Sequence, residues 1–418
     1  MALLFLCLIF GTGRMQKIEA AVQNVPESLE EESRLDTVGT DQETERAAVR
    51  EKKGQQEKEA GDTETDQAAA AQDELLAELD FDAIQQEVDS LLSSQQFSFA
   101  GTVRSLLQDG DPFRTFRAGN AVLSCAKTAF LAQKGLMKEL FLLVLTGAVL
   151  GSFSSLFEGK QVRDASFYMV YLLALALILK NFQSSGENLK AVITSLVAFM
   201  RILTPSYYLA AAAAGGASSA VMFYQMLLLV ILAVEKLLLA LVLPMIHIYL
   251  LIALVNDLSG EEILSHMTEL LETCVNGLLK SSLGVLVGMQ MIRNLIAPAL
   301  DSLRQMALWR TAGMIPGIGN AVNAVTELVA GSAVLIRNCF GVTAMLVLLA
   351  AGMVPAVQLL VSGLSFRLLA AAAQPVSDKR IAGCLAAAGK GYAMLLRLLL
   401  TVEVLFLLTI AILAGTFS

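Results

Sequence analysis

The sequence predicts an all-α, polytopic membrane protein with about seven or eight transmembrane helices, a re-entrant or half-helix element and a disordered acidic N-terminal segment. The chain of 418 residues is 56% hydrophobic and only 16% charged, whereas a soluble domain carries about 25% charged residues. Its mean hydropathy is +0.64. Apolar runs of about 20 residues, the length that spans a bilayer, recur from residue 136 onward. Together these observations favour a helical bundle in lipid over a soluble domain.

Residues 1–20 contain an apolar run, Ala2 to Gly11, that is too short to span a membrane. The run suits the core of a signal peptide, with a small-residue cleavage site near Ala20. No basic residue precedes it, whereas Arg14 and Lys17 follow it. A signal peptide, an interfacial anchor and a start further upstream therefore stay open for this segment.

Residues 21–73 are expected to be a disordered acidic segment. They are rich in Glu, Gln, Thr, Asp and Ala and nearly free of aromatic residues, so they cannot bury enough apolar surface to offset the entropy of ordering. Residues 21–100 hold 21 acidic and 6 basic side chains, while the rest of the chain holds 17 and 24. The acidic charge is thus concentrated before the membrane body.

Residues 74–135 are predicted to form an amphipathic helical region. Apolar residues from Leu75 to Leu92 recur at helical spacing, and a second, weaker pattern covers Val103 to Leu107. These helices pack either on a partner or on their own chain, and we favour the second alternative. Basic residues from Arg104 to Lys138 place this region in the cytoplasm by the positive-inside rule, whereas a cleaved signal peptide places it outside, so the orientation stays open.

Residues 136–418 are predicted to be the polytopic membrane domain. Two prolines, Pro244 and Pro355, lie within apolar segments, where each is expected to kink or break its helix. The predicted spans are Leu136 to Phe157, Ser166 to Phe182, Ala191 to Ala214, Ser219 to Val234, Leu237 to Val255, Leu278 to Leu300, Gly341 to Leu364 and Tyr392 to Ala414.

Four polar residues inside apolar stretches are candidate functional residues, because ionisable groups are costly in a membrane. Glu235 and Lys236 separate two apolar runs, and we favour a tight surface loop there over a broken helix with a buried ion pair. His247 stands alone among apolar residues, and we favour a hydrogen-bonded packing role over a proton relay. Arg293 is expected to snorkel or to line a cavity.

A broken apolar segment begins at Gly313 and is the main candidate site in the sequence. Pro316 suits the start of a helix, where its missing N–H has no cost. Three polar residues then share one face at i, i+3 and i+7 spacing, which predicts a half-helix or re-entrant element facing a cavity or a partner. The candidate gate comprises Gly313, Pro316, Gly317, Gly319, Asn320, Asn323, Glu327, Gly331, Arg337 and Asn338.

Motifs for enzymatic chemistry do not occur in the sequence. Five cysteines without a C-x-x-C pair and two separated histidines give no metal-ligand set. There is no H-E-x-x-H, no G-x-S-x-G and no P-loop. We therefore predict no catalytic residues, no cofactor and no bound metal, and the mildly basic membrane body does not indicate nucleic-acid binding.

The stretch GMIPGIGNAVNAVTELVAGSAVLIRNCFGV, residues 313–342, closely resembles the signature of the stage III sporulation protein AE family. The segments YLLALALILKNF, LVAFMRILTP, IALVNDLS and AAAAQPVSDKRIAGCLAAAGKG resemble family segments in the same order, so that the resemblance covers roughly Leu75 to the C-terminus. The chain departs from the family pattern at Asn323-Ala324, where Ser-Asp is usual, and at Arg337, where Lys is frequent.

The resemblance implies an integral-membrane component of the secretion-like channel complex that links mother cell and forespore and that late forespore gene expression requires. It implies a multi-pass location in the mother-cell membrane around the forespore. Membrane lipid, other proteins of the same sporulation operon and a forespore membrane partner are the expected contacts. The function is then that of a permease or gate, and the alternative is an assembly scaffold that recruits other subunits without transporting.

Overall fold

A computed structural model describes residues 81–92, 97–109, 118–154, 160–213, 218–259, 264–312, 319–375 and 377–415. At 293–312 and 319–330, among other short stretches, only the backbone is described. All of these residues belong to the compact unit Asp66–Ser418. Every regular element in the described part is helical, so the predicted all-α class is confirmed. The predicted segments 1–20 and 21–73 lie outside the described residues.

Two short amphipathic helices come first, α1 at Phe81–Leu91 and α2 at Phe99–Asp109. Ile84 and Val88 form the buried face of α1. The Gln85 side chain joins the pair, because its Nε2 donates to the Phe97 carbonyl at 2.7 Å and its Oε1 accepts from the Phe99 N–H at 2.8 Å. Both helices pack on the long helices of the same chain, as the favoured alternative predicts. Residues 75–80 lie outside the described part.

Six long helical runs follow in the described residues. The third run contains two α-helices joined through a π-helix at Leu238–Val242. The runs are α3 at Ala118–Ser154, α4 at Lys160–Ala213, α5 at Ser218–Leu237 continuing through the π-helix into α6 at Leu243–Ser259, α7 at Ser265–Ala312, α8 at Gly319–Ala373 and α9 at Lys379–Gly415.

Consecutive runs point in opposite directions. Near the start of α4, the Tyr171 hydroxyl donates to the Leu254 carbonyl near the end of α6, at 2.6 Å. Near the start of α9, Gly383 faces Asp257, which also lies near the end of α6. The ends Ser154, Lys160, Ser259, Ser265, Ala373 and Lys379 therefore meet at one end of the bundle, which we call the Tyr171 end.

Five helical stretches in the described residues are long and apolar enough to cross a membrane: Tyr168–Tyr207, Leu228–Ser259, Ser265–Met289, Gly331–Ala373 and Lys379–Ala411. Their length and composition support a helical membrane protein, and the predicted seven or eight spans are not confirmed. Two pairs of predicted spans merge, one pair in α4 and the other in the run from α5 to α6. The polar residues between them do not stop a helix, because Lys, Gln and Glu are good helix formers.

The two prolines expected to break helices lie inside continuous runs. Before Pro244, the Leu243 N–H donates to the Leu238 carbonyl, five residues back. This wide turn accommodates a residue that lacks an N–H and whose ring crowds the preceding turn. Pro355 lies inside α8, which continues to Ala373. Helix continuity is thus maintained by neighbouring packing and, at Pro244, by a π-helix.

The α8–α9 pair is the centre of the hydrophobic core. A Cβ at Gly389 would lie 3.3 Å from the Gly363 carbonyl, so glycine lets the two backbones approach closely. Small residues serve this purpose in membrane bundles. The close pair fixes the position of Tyr392, the central side chain of the site described next.

Candidate functional site

From Gly319 onward, the predicted gate segment belongs to the long helix α8. Gly313, Pro316 and Gly317 lie outside the described residues. Gly319 begins α8, and this helix continues without interruption through Gly331 to Ala373. The predicted stripe of Asn320, Asn323 and Glu327 occupies the first turns of α8, and its side chains lie outside the described part. The half-helix or re-entrant element is therefore not confirmed.

Arg337 and Asn338, predicted as a pair, lie on different sides of α8. Arg337 is only 1% exposed, whereas Asn338 is exposed. Successive residues of a helix point about 100° apart, since one turn takes 3.6 residues. Arg337 lies one turn before Phe340, whose ring contacts Phe99 of α2 at a centroid distance of 5.0 Å. The structure thus assigns the buried position to the arginine.

Glu235 and Lys236 do not form the surface loop that we favoured. Both lie in α5, which passes directly into the π-helix. Glu235 is half-buried and lines a small apolar cavity with Val402 and Phe406, whereas Lys236 is exposed. The loop prediction is wrong because a Glu-Lys pair is compatible with a helix that apolar neighbours already hold in place. The side chain of Arg293 lies outside the described residues.

His247 lies at the contact of α6 with α4. Its Nδ1 is 2.9 Å from the Leu243 carbonyl oxygen, and its ring meets the ring of Phe182 edge-on at a centroid distance of 5.3 Å. A Cβ at Gly186 would lie 2.6 Å from Cε1 and Nε2 of His247. This histidine is hydrogen-bonded and packed, in agreement with the favoured interpretation.

A polar cluster that sequence analysis missed surrounds the hydroxyl group of Tyr392. Asn181 Nδ2 donates to this hydroxyl at 2.6 Å, and Ser185 Oγ lies 3.2 Å from it. The Tyr392 ring stacks on Phe366 with 5.3 Å between centroids, and the edge of Phe182 meets it at 5.2 Å. The cluster thus joins α4, α8 and α9 through one tyrosine.

An open groove adjoins this cluster on the α4–α6 side. Its volume is about 370 Å³. Three exposed polar residues of α4, Gln183, Glu187 and Lys190, form one side, and Gln183 Nε2 donates to Glu187 Oε1 at 3.2 Å. His247 and apolar side chains form the other. The lining residues are Leu179, Phe182, Gln183, Gly186, Glu187, Lys190, Leu243, His247 and Leu251.

The groove combines a few polar groups with a mainly apolar lining. It offers an amide, a carboxylate, an ammonium group and an imidazole edge beside aromatic and aliphatic walls. Such polar groups at the contact of candidate membrane helices mark function by default. The described residues contain no group of three or more His, Cys, Asp and Glu that could hold a metal ion.

Two polar contacts tie α7 to α9 beyond the cluster. Lys390 Nζ lies 3.3 Å from Glu272 Oε2, and Arg397 Nη1 donates to Asn276 Oδ1 at 3.0 Å. Since both pairs are exposed, each contributes little to stability. They do align the two helices, and they place Lys390 on α9 two residues before Tyr392.

Comparison with known proteins identifies the same family as the resemblance in the sequence. A family model described as stage III sporulation protein AE matches residues 97–416. The chain is 22% identical over 291 residues to the stage III sporulation protein AE of Bacillus subtilis (strain 168), and the alignment covers 69% of this chain and 73% of that protein. No solved structure matches the chain.

Proposed function

Because the chain belongs to the stage III sporulation protein AE family, we propose that it is an integral-membrane subunit of the channel complex between mother cell and forespore. In this proposal it acts as a permease or gate in the mother-cell membrane around the forespore and performs no chemical step. Its partners are membrane lipid, other stage III sporulation proteins and a forespore membrane protein. Late forespore gene expression depends on it.

The groove beside the Tyr392 cluster is the observation that carries this proposal. Gln183, Glu187 and Lys190 are exposed in α4 although they lie inside the candidate span Tyr168–Tyr207. Polar side chains facing hydrocarbon are unfavourable, whereas polar side chains lining water or a polar solute are not. A path for a polar solute explains their position. The stripe Asn320, Asn323 and Glu327 remains a predicted part of the same path.

Water access to the groove is the first test. Gln183→Cys places a thiol in the groove, and Leu172→Cys places a thiol about three turns earlier on the same side of the helix, where Leu172 is exposed among apolar residues. Both are made with the naturally exposed Cys274 replaced by serine. In cells with the protein in its complex, we expect a membrane-impermeant maleimide to label Gln183→Cys at least tenfold faster. Equal or slower labelling of Gln183→Cys would show that the groove does not hold water.

Blocking the groove separates gate from scaffold. With a bulky maleimide on Gln183→Cys, the gate proposal predicts loss of late forespore gene expression while co-purification of the other subunits is unchanged. Leu172→Cys carrying the same treatment serves as the control.

The alternative is an assembly scaffold, for which the exposed polar face of α4 offers a surface to a partner helix. Under this alternative, modification of Gln183→Cys reduces the recovery of partner subunits. Loss of gene expression together with loss of partners would therefore favour the scaffold over the gate.

A further inference from the structure

Glu403 of α9 is a buried residue whose carboxyl group has no partner among the described residues. The residue is 8% exposed, and among the described residues its carboxyl group makes neither a hydrogen bond nor an ion pair. It lies in the candidate span Lys379–Ala411. Burial of an ionised carboxylate without a partner is among the most unfavourable arrangements in a protein, and the position therefore requires an explanation.

The carboxyl group occupies a recess in the neighbouring helix α8. A Cβ at Gly352 would lie 2.5 Å from Cδ and Oε2 of Glu403 and 2.6 Å from Oε1. Gly352 is the midpoint of the candidate span Gly331–Ala373. The missing side chain of a glycine thus makes room for this acid at mid-height of the α8–α9 contact.

The same turn of α8 contains Pro355. Because proline has no N–H, the backbone donor that would normally reach the Ala351 carbonyl, four residues back, is absent. A carboxylic acid that keeps its proton donates an O–H, whereas a carboxylate only accepts. The turn of α8 against which Glu403 packs therefore lacks one backbone donor, and its residues Ala351 to Pro355 include no cation suited to a carboxylate.

Among the side chains that the structure describes, no charged group on the helices packed against α9 is a counter-ion of Glu403. On α8, Arg337 and Arg367 are each 15 residues from Gly352, about 22 Å along the helix axis. On α9 itself, Arg397 is bonded to Asn276. The other described Lys, Arg, His, Asp and Glu side chains on these helices do not pair with Glu403 either: Lys180, Glu187, Lys190 and Arg201 of α4, Glu235 and Lys236 of α5, His247 and Asp257 of α6, His266, Glu269, Glu272 and Lys280 of α7, and Lys379, Arg380 and Lys390 of α9.

We propose that Glu403 is a proton-binding site in the contact between α8 and α9. It packs as the neutral acid against Gly352 and exchanges its proton only when the two helices separate enough to admit water. A metal ion is not the ligand, because a metal site needs several oxygen ligands and the described residues offer no group of three or more metal-binding side chains. Proton binding at Glu403 is thereby coupled to how closely α8 and α9 pack.

Infrared spectroscopy of the full chain in lipid nanodiscs tests this directly. A neutral carboxyl group has a C=O band that shifts in D₂O, and an ionised one has no such band. At neutral pH we expect Glu403→Gln to lose this band and the exposed control Glu269→Gln to keep it. Glu403→Gln should fold with an unchanged melting temperature, since glutamine is neutral and of the same shape.

Two results would overturn the proposal in that experiment. An unchanged band in Glu403→Gln would mean that Glu403 is ionised. Failure of Glu403→Gln to fold would mean that a neutral side chain cannot replace it, which contradicts packing as the neutral acid.

A double-mutant cycle tests the recess. Gly352→Ala should lower the melting temperature and remove the carboxyl band, because the new methyl group displaces the acid. The loss in melting temperature should be at least halved when Gly352→Ala is combined with Glu403→Ala, since the two changes share one contact. Equal losses in both backgrounds would show that the carboxyl group does not occupy the recess.

Discussion

Glycines that face ionisable side chains recur in the contacts between long helices. Gly186 faces His247, Gly352 faces Glu403, and Gly383 faces Asp257, whose Cγ would lie 3.1 Å from an added Cβ. In each pair the glycine belongs to one helix and the ionisable group to another. Replacing such a glycine removes the space that the polar group occupies, so these residues are constrained by what lies opposite them rather than by backbone conformation.

At Gly186 the prediction is a loss of stability with a matched control. Gly186→Ala should lower the free energy of unfolding by about 1–3 kcal/mol, because the new methyl group overlaps the imidazole ring of His247. Gly284→Ala, in α7, meets nothing within 4 Å and should stabilise by up to about 1 kcal/mol. Denaturation in nanodiscs measures both. A stabilising Gly186→Ala would contradict the His247 contact.

The substitution Tyr392→Phe tests how much one hydroxyl group contributes to stability. Tyr392→Phe keeps the ring stacked on Phe366 but leaves the amide of Asn181 without its acceptor, so it should destabilise by about 1–3 kcal/mol. Tyr249→Phe is the control, because the Tyr249 hydroxyl is bonded to no described residue. Melting temperatures of the two variants in nanodiscs should differ accordingly. Equal values would show that the cluster adds no stability.

Helix α8 connects the elements that carry most of the contacts. Its partner α9 packs along it and α2 packs against it, whereas α1 packs chiefly on α4 and reaches α8 at Phe340, one turn after the buried Arg337. The Phe340 ring meets the rings of Phe81 and Phe99 at centroid distances of 6.2 and 5.0 Å. This aromatic cluster therefore joins α1 and α2 to α8, in addition to the contact of α1 with α4.

Removal of this ring should release the N-terminal helices. Phe340→Ala is expected to cost about 3–5 kcal/mol, as for other buried phenylalanines, and to add cuts within 81–109 in limited proteolysis of the full chain. Leu335→Ala, at an exposed position of the same helix, should leave the cutting pattern unchanged. Identical patterns for the two variants would contradict docking through Phe340.

The bundle as a whole places alternating helix ends on opposite sides. The start of α9 lies at the Tyr171 end. Gly147, near the end of α3, faces Val170 and Ile381, so the end of α3 also lies there and the start of α3 lies at the opposite end. The structure therefore shows which helix ends lie on the same side of the bundle, whereas the charge pattern of the sequence does not decide which side faces the cytoplasm.

Labelling from one side of the membrane checks this arrangement. Asp378→Cys and Lys127→Cys replace exposed residues near opposite ends of the bundle, and an impermeant maleimide added from outside should label only one of them. The labelled one also decides the absolute orientation. Labelling of both or of neither in intact cells, with full labelling of both after permeabilisation, would contradict the alternating order.

Composition and periodicity suffice to predict the helical class and the amphipathic α1. They also point to His247, because a lone ionisable residue in an apolar run is visible without a structure. The Tyr392 cluster is not visible, since its members Asn181 and Tyr392 are 211 residues apart and each is unremarkable in its own segment. From the sequence alone, the polar residues from Lys180 to Lys190 predict a connection between two spans. In the structure α4 is continuous there, because neighbouring helices pack against it, and sequence spacing does not show this packing.

The length of α8 has a mechanical consequence. Its 55 residues form a rod of about 80 Å, whereas the hydrocarbon layer is about 30 Å thick. Pro355 divides this rod into arms of 36 and 18 residues. If the two arms rotated by about 10° relative to each other at Pro355, Gly319 would move by roughly 9 Å, since the longer arm measures about 54 Å. A small rearrangement where α8 packs on α9 would thus move the start of α8 by more than the diameter of a water molecule. The start of α8 belongs to the segment most typical of the family.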